Sequence, residues 1–220
     1  MRHKNPTKQS GFTLVEIAIV LVIIGLLLGG VLKGTELIEN SKVKRGVNEI
    51  NGISAAYYTY IDRFNRVPGD DGGTARLRTR GDNWANVDRS GDSNGMLTAN
   101  RNTTWAPTGE AEAFWQHLRA AGFITGEVGL RGAQALPRNA FGGLIAVVSQ
   151  PVNGGLQGLK VCLSQVPGKS ARAIDTQMDD GLGASGKTRA TQGNGNRNPN
   201  NSALATEYSD DLSYTVCTQV

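Results

Sequence analysis

Donors for metal or acid–base chemistry are scarce in this 220-residue chain, which has two histidines, one of them His3, and two cysteines. One remaining histidine and two thiols do not make a zinc set. Neither a glycine-rich phosphate loop with its lysine nor a Gly-x-Ser-x-Gly nucleophile elbow is expected. Excess charge is scarce as well. The formal net charge is +4, but Arg2, Lys4 and Lys8 lie in an acid-free N-terminal stretch, and without them 20 basic residues face 19 acidic ones. That balance gives no support for nucleic acid as a specific partner. Together these shortages argue against an enzyme. Glycine, in contrast, is abundant at 29 of 220 residues, so turns are expected throughout.

Behind the basic stretch runs Phe12-Thr-Leu-Val-Glu-Ile-Ala-Ile-Val-Leu-Val-Ile-Ile-Gly-Leu-Leu-Leu-Gly-Gly-Val-Leu32. As a helix these 21 residues span roughly 31 Å, the thickness of a hydrocarbon core. Cations before the run, and only Lys33 directly after it, predict a single span with a cytoplasmic N-terminus. A secretory signal peptide should end in a small-x-small cleavage site. Here Gly29 and Gly30 run on into helix-compatible Leu37-Ile38-Glu39-Asn40-Ser41-Lys42-Val43. Glu16 is the odd residue. A carboxylate at the centre of a membrane helix costs about 2.5–3.5 kcal/mol, somewhat less near an end, and the span offers nothing to neutralise it. The nearest candidate cation is a free amine at Phe12, made by a cut after Gly11, on a neighbouring chain.

The string Gly11-Phe12-Thr13-Leu14-Val15-Glu16, with a basic leader before it and an apolar run behind it, closely resembles the N-terminal signature of type IV prepilins and pseudopilins. The resemblance covers about the first 35 residues and is looser beyond them. It implies that residues 1–11 are a leader removed by a prepilin peptidase, which then methylates the new N-terminus at Phe12. Glu16 becomes the acid that guides stacking of subunits. It further implies an inner-membrane precursor, an assembly platform as partner, and self-association into a helical filament. Glycine before the cut lets extended backbone enter a protease cleft. An ammonium and a carboxylate on adjacent subunits attract strongly at low dielectric. Major pilins often carry a helix-bending proline near position 33, where this chain has Lys33. The first reading is therefore a type IV pilus subunit acting in adhesion, motility or DNA uptake. The second is a type II secretion pseudopilin in a periplasmic pseudopilus, and a distant third is an uncleaved, anchored binding domain or hydrolase.

Beyond the span, Val43, Val47, Ile50, Ser54, Tyr57, Ile61 and Phe64 step by three or four, backed by Ile53 and Tyr58. This predicts an amphipathic helical half over 34–66 that continues the apolar half over 12–33. The combined helix, Thr13 to Asn65, would be about 80 Å long and end before Val67-Pro68-Gly69. Glu39 and Lys42 are spaced to pair on its exposed side. Tyr57, Tyr58, Tyr60 and Phe64 read as core packing. Gly25, Gly29, Gly30 and Gly34 allow close helix contact or local stretching.

Residues 67–220 read as a globular head outside the cytoplasm. Its polar opening holds Asp88, Asp92 and Asn94, spaced somewhat like a calcium loop. With Asp88 first, however, Ala99 stands where that loop needs its glutamate, so a solvated turn is the favoured reading and no cofactor is expected. Thr108–Ala121 reads as a short helix capped by Thr108, with Glu110 and Glu112 at its positive end, Phe114, Trp115 and Leu118 buried, and His117 a surface or packing residue. Strand-like runs follow at 143–150, 158–166 and 212–220, with Gly154-Gly155 as a hairpin turn and Lys169–Met178 as a helix. Residues 179–203 contain one large apolar side chain, Leu182, and predict a long mobile loop. Cys162 and Cys217 fall on strands of the exported half, where oxidation is permitted, so a disulfide is expected. The fold class expected is α+β: a long helical spine, transmembrane in its first half, packed on an antiparallel-sheet head.

Overall fold

The structure of the protein, a computed structural model, describes residues 11–200 and 204–220. Proline is absent from Leu14 to Phe64, and that stretch forms one uninterrupted 51-residue helix, α1. It ends where expected, with Asn65 in the left-handed region (φ 49°) ahead of Pro68. Chain contacts divide the protein into two units that change over at Asn40 and Ser41, and α1 contributes to both. In the first unit its large apolar side chains stand exposed, Leu14 at 91% and Leu26 at 73%. By length and composition it is the one helix among the described residues apolar enough to cross a membrane.

In the second unit α1 buries Val43, Gly46, Ile50, Ile53, Ala56 and Tyr60. Val47, Tyr57 and Phe64 are partly buried against the core. The buried face is therefore rotated from the predicted stripe: Ser54 and Ile61 sit at its margin and Tyr58 is half exposed. Gly46 explains the rotation. A Cβ there would come within 3.1 Å of Phe141, 3.3 Å of Ile174 and 3.4 Å of Leu163, so the helix approaches its neighbours along the glycine.

Four strands form an antiparallel sheet ordered β1-β2-β4-β3, where β1 is Ile145–Val148, β2 Lys160–Pro167, β3 Thr188–Gln192 and β4 Ser213–Gln219. Three of these match the predicted strands. Cys162 and Cys217 lie directly opposite on β2 and β4 and are joined as a disulfide. The β1–β2 connection turns through Asn153, Gly154 and Gly155, all at positive φ. After the short helix α2 (Thr74–Arg78), α3 (Glu110–Ala120) and α4 (Gly168–Met178) take the predicted helical segments. A Cβ at Gly168 would lie against the Ser209 carbonyl oxygen, so α4 begins on a residue that only glycine can fill.

Two expectations need correction. Thr108 does not cap α3: Gly109 is the cap residue, and no side chain bonds there. All of Ala111–Ala120 is buried, and the acids of the first turn reach outward to loops instead, Glu110 to the Thr98 amide and Glu112 to Arg89 and the Gly132 amide. The stretch 179–203, expected as a long loop, contains edge strand β3 and its pairing to β4. Thr188, Ala190 and Thr191 bury only methyl-sized surface there, which suffices because β4 offers a free edge. Beyond β3, Arg197 is tied down as well: its carbonyl accepts from Trp105 Nε1 at 2.8 Å and from the Thr215 hydroxyl at 2.6 Å. Residues 1–10, with the basic part of the expected leader, and 201–203 lie outside the described residues.

Candidate functional site

Gly11 and Phe12 precede the first turn of α1 with extensive exposure, and nothing stands within 4 Å of a Cβ built on Gly11. Thr13 occupies the cap position: its carbonyl accepts the first helical bond from Ile17 N at 3.3 Å. Its hydroxyl accepts from the Glu16 amide at 3.2 Å, while Glu16 Oε2 accepts from the Thr13 amide at 2.7 Å and from the Thr13 hydroxyl at 2.8 Å. This is a reciprocal capping box, two orphan amides of the helix start satisfied at once. The expectation that nothing in the span serves Glu16 is thus revised. Thr13 supplies hydrogen bonds but no charge, and Oε1 keeps no partner among the described residues. The Thr-x-x-Glu spacing stands in plain view and is the signal that announces the box.

The calcium candidates suggested by spacing do not converge. Asp88 pairs with Arg131 and accepts from Gln116 at 2.8 Å, while Asp92 and Asn94 close local turns on the Asn94 and Met96 amides. Asp92 instead meets Asp70 and Glu110, one oxygen of each lying within 4.8 Å of the others. Asp175, Asp179 and Asp180 form a second such group. Three carboxylates are the donor type a hard divalent cation takes. Here Asp70 is already engaged by the Ser93 and Gly95 amides at 2.5 and 2.7 Å, and Glu110 by the Thr98 amide at 2.6 Å. No spacing rule links Asp70 and Glu110 to Asp92, so that group leaves no signal in the sequence.

The expectation that no glycine-rich phosphate loop with its lysine is present needs correction in its letters: Gly181-Leu-Gly-Ala-Ser-Gly-Lys-Thr188 spells one. Such a loop must leave a strand and open a helix. This one leaves α4 and enters β3. Its concavity is filled from within: Asp179 packs against Gly186 and accepts from Thr188 N at 3.0 Å, and Asp180 accepts from Leu182 N at 2.9 Å and from the Ser185 hydroxyl at 2.6 Å. The chain's own carboxylates thus already take up two of the loop's amides and its serine hydroxyl.

The buried polar centre of the second unit is structural. The Tyr60 hydroxyl donates to Asp71 at 2.5 Å, and Arg80 and Arg76 pair with the same carboxylate. His117 is fully buried, not on the surface. Its Nδ1 accepts from the Gly69 amide at 2.9 Å, which leaves Nε2 to donate to the Arg89 carbonyl at 3.1 Å. Burial pushes its pKa down to about 4, so it stays neutral. The Lys160 ammonium is enclosed by four carbonyls at 2.6–3.3 Å, and burial lowers its pKa to about 8.

Among known families, the model of the prokaryotic N-terminal methylation motif matches residues 6–32, the stretch that holds the capping box. No curated protein matches the chain.

Proposed function

We propose, from the premise that this chain carries the type IV prepilin and pseudopilin signature over residues 6–32, that it is a structural subunit of a type IV pilus. The precursor sits in the inner membrane with its N-terminus in the cytoplasm. It is cut between Gly11 and Phe12, methylated on the Phe12 amine, and stacked through the exposed apolar half of α1 into a filament. The head then faces the periplasm or the cell exterior. A peptidase that also methylates, an assembly platform and further copies of the subunit are the partners; catalysis is theirs and not this chain's.

The observation that carries the reading is the Glu16 carboxylate at the head of an apolar helix, held by Thr13 on one oxygen and open on the other. Thr13 keeps the charge hydrogen-bonded while the subunit is alone. Within a bundle the open oxygen meets the new Phe12 ammonium of an adjacent subunit, and two membrane penalties cancel as a pair. Register along the filament follows, because any other stagger leaves both charges unmatched.

Shearing of whole cells tests the pilus against the pseudopilus. A surface pilus releases this chain into the sheared fraction as filaments of mature subunits. Retention of all the chain in the cell envelope would instead assign it to a periplasmic pseudopilus.

A further inference from the structure

Four asparagines are followed directly by glycine: Asn51-Gly52, Asn94-Gly95, Asn153-Gly154 and Asn194-Gly195. Such a pair is chemically frail. The glycine nitrogen can attack the side-chain carbonyl carbon of the asparagine, because no Cβ on the glycine stands in the way. The attack has three requirements. The backbone must be free to bring those atoms together, the glycine amide must not be spent on a hydrogen bond, and water must reach the ring that results.

The fold withholds at least one requirement from three of the pairs. Asn51-Gly52 lies inside α1, where the helix fixes the backbone and the Gly52 amide belongs to its hydrogen-bond ladder. Asn153 is fully buried away from water, and its Oδ1 accepts from the Thr191 hydroxyl at 2.5 Å. Asn94 is exposed, but its Oδ1 accepts from the Met96 amide at 2.8 Å, while the Gly95 amide donates to the buried Asp70 carboxylate at 2.7 Å. Both of its reacting groups are engaged. The fourth pair differs. On one side of it the Gly193 amide donates to the Ser213 carbonyl at 3.0 Å. On the other, Asn196 Oδ1 accepts from the Ser164 hydroxyl at 2.7 Å and from Gln165 Nε2 at 3.0 Å. Between these anchors Asn194 and Gly195 are exposed and make no hydrogen bond among the described residues. Nothing lies within 4 Å of a Cβ built on Gly195.

We propose that Asn194 is a site of spontaneous deamidation, the one Asn-Gly pair of the four that the folded chain leaves open. The Gly195 nitrogen gives up its proton to hydroxide and bonds to Asn194 Cγ, and the side-chain nitrogen leaves as ammonia. The product is a five-membered succinimide. Water then adds to either ring carbonyl, and the ring opens to aspartate or to isoaspartate, in which the main chain runs through the former side-chain carbonyl. Water is the only co-reactant consumed. Either product adds a negative charge to the segment. Isoaspartate also lengthens the main chain by one carbon between Gly193 and Asn196, which loosens the hydrogen bonds from Ser164 and Gln165.

The test ages the full chain in detergent micelles at mildly alkaline pH. All four pairs are followed by peptide mapping with electron-transfer fragmentation, which separates aspartate from isoaspartate. Asn194 should convert at least about tenfold faster than Asn94, where two hydrogen bonds must first be given up. Asn51 and Asn153 should lag as well. A parallel sample unfolded in urea isolates the contribution of the fold. There Asn194 and Asn94 should convert at similar rates, since the residues before them, Gly193 and Ser93, are both small. An Asn194 that stays intact overturns the proposal, as does any other Asn-Gly pair that keeps pace with it in the folded chain. A tenfold lead of Asn194 over Asn94 that persists in urea also overturns it, because the difference would then belong to the local sequence and not to the structure.

Discussion

Glu16 and Thr13 define what a single residue can do here. On the proposed assembly, replacing Glu16 by Ala removes the charge that would set register and leaves the Phe12 ammonium of the neighbour without its partner in a low-dielectric bundle. Breaking such a pair costs about 3–5 kcal/mol. Glu16→Ala should therefore reduce filament yield by an order of magnitude or more in sheared or imaged preparations, with the precursor still inserted; normal filament numbers would count against the register role. Thr13→Val keeps the amide-to-carboxylate bond and loses only the hydroxyl, for about 0.5–2 kcal/mol of helix-start stability, so its filaments should be fewer but present. In the head, two buried titrating residues have opposite signs. His117 has a folded pKa of about 4 against an ordinary value of 6.5, so the unfolded chain binds more protons between those values, and its contribution to stability is lost as pH falls from about 6.5 to about 4. Asp175, whose carboxylate accepts from Tyr208 at 2.6 Å, is raised mainly by burial from 3.8 to about 6. There the native state binds more protons, so the Asp175 contribution is present at low pH and declines as pH rises through about 4–6. The two slopes oppose each other in that window. Asp175→Asn keeps an acceptor for Tyr208 and removes one slope. Its melting temperature should rise from pH 4 to 6.5 more steeply than that of the unaltered chain, and parallel curves would show that Asp175 does not titrate there.

Among the elements, β2 and β4 are joined by the disulfide across a sequence separation of 55 residues. Closing such a loop in the unfolded chain is worth about 4 kcal/mol in the chain-entropy account. Reduction should lower the melting temperature and raise hydrogen exchange first in β4 and in the 193–200 segment fastened to it; an unchanged melt would mean that sheet pairing alone carries that stability. The elements most legible in the sequence are those with a strong period. The 51-residue helix, three of the four strands and the helices α3 and α4 follow from apolar spacing and turn residues. Strand β3 does not, because Thr-Arg-Ala-Thr-Gln carries no large apolar side chain and is a strand only by virtue of its neighbour. The buried face of α1 lies some degrees from the apolar stripe, because the pattern counts side chains while Gly46 contributes by lacking one. Contacts between distant segments, such as His117 with Gly69 or Asp70 with Glu110, leave no local mark to read. The capping box does leave one. It is easily overlooked, because a lone acid in an apolar run draws attention to a partner on another chain and away from its own helical turn.

For the molecule entire, the head has a buried polar centre and a disulfide between neighbouring strands, while the first half of α1 exposes apolar surface that water would penalise. At about 25 cal/mol per Å² of apolar area, such a surface calls for a cover, and on the proposed function lipid supplies it first and other copies of the chain afterwards. The whole scheme depends on proteolysis after Gly11 creating the counter-ion for Glu16. The intact N-terminal mass of the chain recovered from the sheared or membrane fraction decides this. A mature chain beginning with N-methylphenylalanine at residue 12 is the expected result, and a chain that still carries Met1 would refute it.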